Sequence, residues 1–355
     1  MQNCLRGNIE INSLLRFPLI VGVVFSHSLS LAHGNYKIYD FFYISLTEIL
    51  CTTCVPLFFF FSGYMFFHNI ESFDLGTYKN KLKRRVKSLF IPYVFWNLFV
   101  VAVIGIGQIL VPSFFSGSFK NVMDFTVNDW LSIFYCAFGS NQPIAFQLWF
   151  IRNLMVMIVL TPLIYFLCRC FDYWWLLVLF LLPMIGINVL FPGFSFFSLS
   201  FFATGCWFGI NKCSFIVKSI NAKYLIIIAF IILYIIDFLF HKSNTVHVAF
   251  HYFCVVAGCI SIIQAASLIV QHKDYTKFFF MEPAISNSTF FIYCYHGIFS
   301  AFITRFVIRF VSNDLMAVLG YFMVVFVLIA FGVLAFNFLS KLSPAIIGFI
   351  TGGRN

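Results

Sequence analysis

The sequence predicts an all-α integral membrane protein with about ten transmembrane helices and both termini in the cytoplasm. Of its 355 residues, 62% are hydrophobic and only 10% are charged, and the mean hydropathy is +0.97. Such values are typical of chains that lie in a bilayer. They exclude a soluble protein and leave no room for a separate soluble domain. We therefore expect one polytopic domain over residues 1–355, with its core at about 11–340 and no soluble extension.

Each predicted helix is an apolar run of about the 20 residues that a crossing needs. The runs are 12–33, 41–67, 88–110, 146–168, 173–191, 195–211, 224–240, 248–270, 285–308 and 315–340. An even number of crossings places both termini on the same side of the membrane.

The basic residues predict which side that is. The loop at residues 68–87 carries six Lys or Arg residues against Glu71 and Asp74, so the positive-inside rule assigns it to the cytoplasm. The other basic residues on this side are Lys212, Lys218, Lys223, Lys273, Lys277, Lys341 and Arg354. The longest opposite loop, about 111–145, carries Lys120 against Asp124 and Asp129. This orientation accounts for the net charge of +10, and nucleic-acid binding is not predicted.

Two patterns of metal-ligating residue types occur in the chain. Cys51 and Cys54 form a Cys-x-x-Cys, but no second ligand pair has matching spacing, so we interpret them as small buried hydrophobes. His247 and His251 lie four residues apart, as two ligands on one helix face would, but no carboxylate or thiol accompanies them at useful spacing. No metal site is predicted.

Arg16 and His27 are the best indication of function, because both lie in the first apolar run. A charge at the centre of a membrane helix costs at least roughly 2.5–3.5 kcal/mol on insertion scales, so such residues are candidates for a functional site. Eleven residues make about three helical turns, which would place both side chains on one face, about 16 Å apart along the axis. The spacing therefore predicts one cavity lined by both.

Glu48 is the predicted partner of His27. It stands about as far from the outer end of the second span as His27 does from that of the first, so a contact is possible if the two helices touch there. A carboxylate beside the ring would fix the tautomer of a catalytic histidine. Pairing of Glu48 with another helix is the alternative. Arg152 and Asp237 are further costly intramembrane residues, to which the sequence assigns no role.

Five motifs in order resemble those of the acyltransferase-3 family, polytopic membrane enzymes that acylate sugars of the bacterial envelope. The first is Arg16, ten residues and His27, which resembles the family's R-x10-H signature. The others are VPLFFFFSGY at 55–64, RVKSLFIPY at 85–93 followed by Trp96, LWFI at 148–151 and STFFIYCYH at 288–296. The resemblance covers about 11–340. Within the second motif, Ser62, Gly63 and Tyr64 predict close helix packing rather than ligand contact.

The sequence departs from the family pattern at two places. Gln147 stands where many members have a His before the Leu-Trp-Phe motif, which puts in doubt a proton relay at that position. The basic motif reads Arg84-Arg85 followed by Lys87, without the Arg-x-x-Arg arrangement of some members.

The resemblance implies a multi-pass protein of the bacterial cytoplasmic (inner) membrane. It implies transfer of an acyl group, usually acetyl, from cytoplasmic acyl-CoA to a hydroxyl of an envelope glycan or lipid-linked sugar on the exported face. Acetyl-CoA would be a donor substrate, and no permanently bound cofactor is expected. Arg84, Arg85 and Lys87 would then bind the donor's phosphates, although orientation in the membrane alone also requires such a basic loop.

Within this mechanism, Arg16 would hold the donor's arm or polarise the thioester carbonyl. His27 would act as general base towards the acceptor hydroxyl or form an acyl-histidine intermediate. His296 is a second catalytic candidate, with a structural tether as the alternative. Tyr293 and Ser288 are substrate-binding candidates with the same alternative, and Trp149 is a third, or else an interfacial anchor.

The competing function is that of a transporter or flippase that moves a lipid-linked sugar or the acyl donor without chemistry, because intramembrane charges also mark transport pathways. A membrane partner protein without a site is disfavoured by the cost of Arg16.

Overall fold

Most of the described chain is helical. The computed structural model describes residues 2–112, 120–187, 190–241, 246–271 and 274–353. The helices are α1 (Gln2–Phe25), α2 (Lys37–Phe42), α3 (Cys54–Phe67), α4 (Leu75–Arg85), α5 (Ile91–Leu110), α6 (Val127–Ser132), α7 (Trp149–Val159), α8 (Thr161–Phe171), α9 (Trp174–Met184), α10 (Phe196–Ile210), α11 (Ile220–Phe240), α12 (Val246–Val270), α13 (Pro283–Ser286), α14 (Thr289–Ile308), α15 (Asp314–Leu342) and α16 (Pro344–Thr351). Two short antiparallel strands, β1 (Leu190–Phe191) and β2 (Phe194–Ser195), form a hairpin.

Seven helical segments of the described chain are long and apolar enough to cross a membrane. They are Arg6–Phe25, Lys37–Phe67, Leu75–Leu110, Ile220–Phe240, Phe250–Val270, Thr289–Ile308 and Asp314–Leu342. The helices α7 and α8 make an eighth if they count as one bent span. The all-α membrane class is thus confirmed. Because α9 and α10, with 11 and 15 residues, are only about 16 and 22 Å long, the number ten and the cytoplasmic termini stay predictions.

The first helix ends earlier than the apolar run suggested. α1 stops at Phe25, and the next turn tightens, since the amide of His27 donates to the carbonyl of Val24 at 3.1 Å, three residues back. The hydroxyl of Tyr39 then donates to the carbonyl of Leu29 at 2.8 Å and accepts from the amide of Leu31 at 3.0 Å. The prediction of a helix to residue 33 was wrong, and His27 lies in the turn after α1.

The second span is continuous but not regular. Between α2 and α3, residues Tyr43–Leu50 form a π-helix, and the amide of Cys51 donates to the carbonyl of Leu46, five residues earlier. A three-residue 3₁₀ turn, Cys51–Thr53, leads into α3. Such wide turns are rare and change which side of a helix a residue faces relative to an α-helix.

Glycines allow α3 and α10 to pack backbone against backbone. A Cβ atom added at Gly205 would lie 1.9 Å from the carbonyl oxygen of Phe60, and one at Gly63 would lie 2.1 Å from that of Phe202. Gly209, four residues after Gly205, faces the carbonyl of Tyr64 at 2.8 Å in the same way. Small residues spaced by four typically allow such close approach in membranes. Gly63 therefore lies where the sequence predicted helix packing.

The run predicted at 146–168 is broken. α7 and α8 meet at an angle of 60°, and Pro162 stands at the start of α8, where its missing amide donor does not matter. The first two spans are the most buried of the described chain, with 61% of the spanning window buried in Arg6–Phe25 and in Lys37–Phe67, whereas α11 is the least buried, with 17%.

Candidate active site

A cavity with aromatic walls and several polar groups lies beside the C-terminal end of α1. Its volume is about 510 Å³, within the range of roughly 300–1,000 Å³ that small-molecule sites occupy. Its polar lining includes Ser26, His27, Gln147, Ser198, His251 and Tyr293, and its apolar wall is largely aromatic, with Phe59, Trp149, Phe150, Phe197 and Phe201. Such a mixture of an apolar wall and a few polar groups suits an organic substrate that must be held in one orientation.

His27 is half-buried at this cavity and is held from two sides. Its ring meets Phe146 edge-on at 5.1 Å between centroids, and the ring of His296 lies 5.3 Å away. The hydroxyl of Ser300 on α14 donates to its backbone carbonyl. These contacts place the imidazole at the cavity wall, and none of the contacts described for it involves a carboxylate.

His296 lies behind His27 and not on the cavity surface. It is fully buried on α14, and its Nδ1 lies 2.8 Å from the carbonyl oxygen of Tyr293 and 3.1 Å from that of Ile292. Because carbonyls only accept, the proton of the neutral ring belongs on Nδ1. Its Nε2 is buried without a hydrogen-bond partner among the described residues. His296 thus packs directly against the motif histidine.

Two hydrogen bonds join Gln147 to residues of α14. The hydroxyl of Tyr293 donates to the backbone carbonyl of Gln147 at 2.6 Å, and the side-chain amide of Gln147 donates to the carbonyl of Cys294 at 2.6 Å. A Cβ atom added at Gly297 would lie 2.4 Å from Oε1 of Gln147, so the glycine makes room for this side chain. Gln147, where the family pattern predicts His, therefore forms part of the cavity wall.

Of the other substrate-binding candidates, the structure brings Trp149 to the cavity but not Ser288. Trp149 lines the wall at the start of α7. Ser288 is fully buried before α14 and donates to the carbonyl of Ile285 at 2.7 Å, as a serine at the start of a helix commonly bonds to its own turn. Ser288 is therefore placed for local structure and is not proposed further as a substrate contact.

The predicted contact between Glu48 and His27 is wrong. Glu48 lies 2.6 Å from Nε2 of His241, at the end of α11, and 3.5 Å from Nε2 of His33. His33 also approaches Asp40 at 3.4 Å. The π-helix at Tyr43–Leu50 is the physical reason, because its wider turns change where Glu48 points.

A carboxylate–imidazole pair does reach the cavity, between residues to which the sequence assigned no role. Asp237 on α11 is fully buried, and its Oδ2 lies 2.8 Å from Nδ1 of His251 on α12. His251 is one of the cavity-lining residues. The signal that could have found this pair was the cost of Asp237 inside an apolar span, which requires a partner. The side chain of His247, the other half of the considered metal pair, lies outside the described residues.

Arg16 is not part of this cavity. Its side chain is exposed on α1, nine residues before the helix ends at Phe25, about 14 Å along the axis. No hydrogen bond or ion pair of the described residues involves it. The spacing predicted that Arg16 and His27 line one cavity. In the structure only His27 does.

The basic loop forms a second, polar pocket of about 400 Å³ around α4. Arg84 and Lys81 line it together with Glu71, Thr77 and Asn80. Arg85, half-buried, and Lys87, exposed, do not. Arg84 is therefore the predicted phosphate ligand that faces a concave surface.

Lys81 and Lys212 also have a structural role at the C-terminal end of α3. Lys81 donates to the carbonyl of Phe66 at 3.0 Å, and Lys212 donates to those of Phe67, His68 and Ile70 at 3.2, 2.5 and 2.7 Å. Cations suit helix C-termini, where carbonyls lack partners. Burial lowers the pKa of Lys212, which Glu71 partly offsets.

Arg152 is also structural. It is buried on α7 and donates to the backbone carbonyls of Tyr135 and, at 3.1 Å, Asn141. It thereby holds the loop before α7. In the part of the chain that the structure describes, no group of three or more His, Cys, Asp or Glu side chains is arranged to hold a metal ion.

The sequence matches a known protein family over most of its length. A family model described as an acyltransferase domain matches residues 10–337. The chain is similar to the succinoglycan biosynthesis protein ExoH of Rhizobium meliloti (strain 1021), with 30% identity over 159 residues. That match covers 43% of this chain and 41% of ExoH, so it spans well under half of the relative's length. No solved structure gives a significant match.

Proposed function

This chain belongs to the membrane acyltransferase-3 family, and from that premise we propose that it acylates an envelope glycan or lipid-linked sugar on the exported face. The donor is cytoplasmic acyl-CoA and the acceptor group is a sugar hydroxyl. The observation that carries the proposal is the position of His27, the histidine of the first motif, on the wall of the 510 Å³ cavity. An imidazole at the wall of a cavity of this size suits acyl transfer to a hydroxyl, in which a proton must be taken up or a hydrogen bond donated at the reacting group.

The cavity favours acetyl over succinyl as the transferred group. A succinyl group carries a second carboxylate, whose burial is costly unless a cation pairs with it. Among the cavity-lining residues of the described chain there is no Lys or Arg. The neutral acetyl group needs no such partner, and the aromatic wall with Trp149 suits both its methyl group and the face of a sugar ring.

The donor's charged end is proposed to lie at the other pocket. Coenzyme A carries phosphates, and Arg84 with Lys81 at the 400 Å³ pocket offers charge-assisted hydrogen bonds to them. Arg85 and Lys87 add positive charge next to Arg84 in the chain. Arg16, exposed on α1, is then available to the donor's arm.

The test compares envelope polysaccharide from four strains by NMR. Cells carry the wild-type protein, the His27→Ala variant, the His68→Ala variant or no protein, and ester acetyl signals are integrated. His68→Ala is the matched control, because His68 is half-buried near the loop and does not line the cavity. Esters are expected with wild type and His68→Ala only.

Equal ester signals in all four strains would refute the acyltransferase function and favour the transporter function. The donor is identified with purified protein given labelled acetyl-CoA or succinyl-CoA. Preferential transfer of succinyl would refute the argument from the uncharged cavity wall.

A further inference from the structure

The cavity wall contains a second imidazole, and only this one has a described carboxylate partner. His251 lies on α12 with 23% of its side chain exposed, and it lines the same cavity as His27. Asp237, fully buried on α11, meets its Nδ1 at 2.8 Å. His27 instead contacts Phe146 and His296. The two histidines of the cavity are therefore equipped for different tasks.

The contact with Asp237 determines what His251 can do. The carboxylate accepts a hydrogen bond from the Nδ1–H group of the ring, so the neutral ring has its lone pair on Nε2. The carboxylate also orients the ring and offsets the positive charge that the ring carries after it takes a proton. This is the arrangement in which histidine works as a general base.

Placing Asp237 in an apolar span is unfavourable in free energy. Asp237 lies within Ile220–Phe240, the most exposed of the long spans, and a carboxylate at such depth costs several kcal/mol on insertion scales unless it is partnered. A link between α11 and α12 alone needs no carboxylate, because close packing of small residues or a neutral hydrogen bond can also join two helices in a membrane. Because His251 lines the cavity, a catalytic role of the pair would explain why a carboxylate is buried in this span.

We propose that His251, oriented by Asp237, is the general base that takes the proton from the acceptor sugar's hydroxyl, and that His27 acts on the acyl group. The proposal rests on the acyltransferase function above and names the residue that activates its acceptor. Asp237 is a positioning residue, since it acts through His251.

The step balances without any further reactant. The hydroxyl oxygen bonds to the acyl carbon, the carbon–sulfur bond breaks, and coenzyme A leaves as a thiolate. The hydroxyl proton passes to Nε2 of His251 and then to the thiolate. A neutral His27 that donates to the acyl oxygen would stabilise the charge that develops there, as oxyanion donors do.

The experiment uses purified full-length protein in nanodiscs, where both faces are accessible. The donor is labelled acetyl-CoA, and the acceptor is envelope polysaccharide whose esters have been removed with mild alkali. The rate constant kcat and the KM for the polysaccharide are measured, together with the thermal unfolding midpoint. His251→Gln is expected to lower kcat by about 10²–10⁴-fold, the usual contribution of a general base, with little change in KM.

The Asp237→Asn variant distinguishes a general base at His251 from a purely structural link between α11 and α12. Asn still forms a hydrogen bond with the ring, so the link between α11 and α12 persists, but the tautomer is no longer dictated. The proposal predicts a large loss of kcat with an unchanged unfolding midpoint. An unchanged kcat in Asp237→Asn would overturn it.

The His251→Ala variant with added imidazole distinguishes a loss of activity through the missing base from a loss through misfolding. Free imidazole should restore part of the activity, because it supplies the missing base in the vacated space. A loss that imidazole does not restore would overturn the assignment of His251 as base. His241→Gln is the matched control, since His241 pairs with Glu48 at 2.6 Å and does not line the cavity. Its kcat should equal that of wild type.

The two proposals fail differently. If wild-type protein forms no ester either in cells or in nanodiscs, the acyltransferase function fails, and the role of His251 falls with it. If wild type is active while His251→Gln retains full kcat, only the assignment of the base is wrong.

Discussion

Replacing Gly297 by alanine should impair catalysis through the wall of the cavity. The added Cβ atom would lie 2.4 Å from Oε1 and 2.7 Å from Cδ of Gln147, and 3.1 Å from Cζ of Phe146. An ordinary contact begins at about 3.4 Å, so the Gln147 side chain must retreat by about 1 Å, and Phe146, which meets the ring of His27, must give way slightly.

The magnitude follows from what the displacement breaks. The Gln147 amide donates to Cys294 at 2.6 Å, and the loss of a buried hydrogen bond costs about 1–3 kcal/mol. A displacement of 1 Å at catalytic geometry costs on the order of 10²-fold in rate. Transfer of labelled acetyl to deacylated polysaccharide should therefore fall by about two orders of magnitude, with a lower thermal unfolding midpoint.

Gly105→Ala is the matched control for this experiment. Gly105 also lies inside a helix, α5, but the atoms nearest to its added Cβ would be those of Val122, at 3.6 Å, an ordinary contact. Removing a helical glycine there is expected to stabilise the protein by about 0.5–1 kcal/mol. If Gly297→Ala and Gly105→Ala both kept wild-type activity, the claim that Gln147 forms the catalytic wall would be refuted.

Two further predictions concern helix packing and the donor. Gly205→Ala would place a Cβ 1.9 Å from the carbonyl of Phe60 and force α3 and α10 apart; overpacking of this kind costs about 1–3 kcal/mol or more, and an unfolding midpoint equal to wild type would contradict the close contact. Arg16→Lys should insert normally and lower turnover of acetyl-CoA, because an ammonium cannot replace the planar guanidinium; full activity would remove Arg16 from the mechanism.

The fold class was predictable because it depends on composition and apolar runs, which are local properties. Each predicted run corresponds to a helix or helices in the structure. The ends were less predictable. α1 stops at Phe25 because the following backbone finds partners such as the Tyr39 hydroxyl, and an apolar sequence does not reveal such a contact.

The site was predictable only where a motif marked it. His27, Trp149 and Tyr293 line the cavity, and His296 packs against His27. Pairings between helices were not predictable, because they depend on rotation about each axis. Glu48 was assigned to the wrong histidine for this reason, and His251 was considered only as half of a metal pair with His247.

Because residues Tyr43–Leu50 form a π-helix, the direction in which Glu48 points depends on the number of residues in the second span as well as on their types. A segment with i→i+5 bonding holds an extra residue in each turn. Deleting one residue there would allow the span to return to ordinary α-helical bonding, and Glu48 would rotate away from His33 and His241. The charge arrangement at this end of the bundle is thus encoded partly by the number of residues, and a search for its counterpart in a related chain should compare spacing before identity.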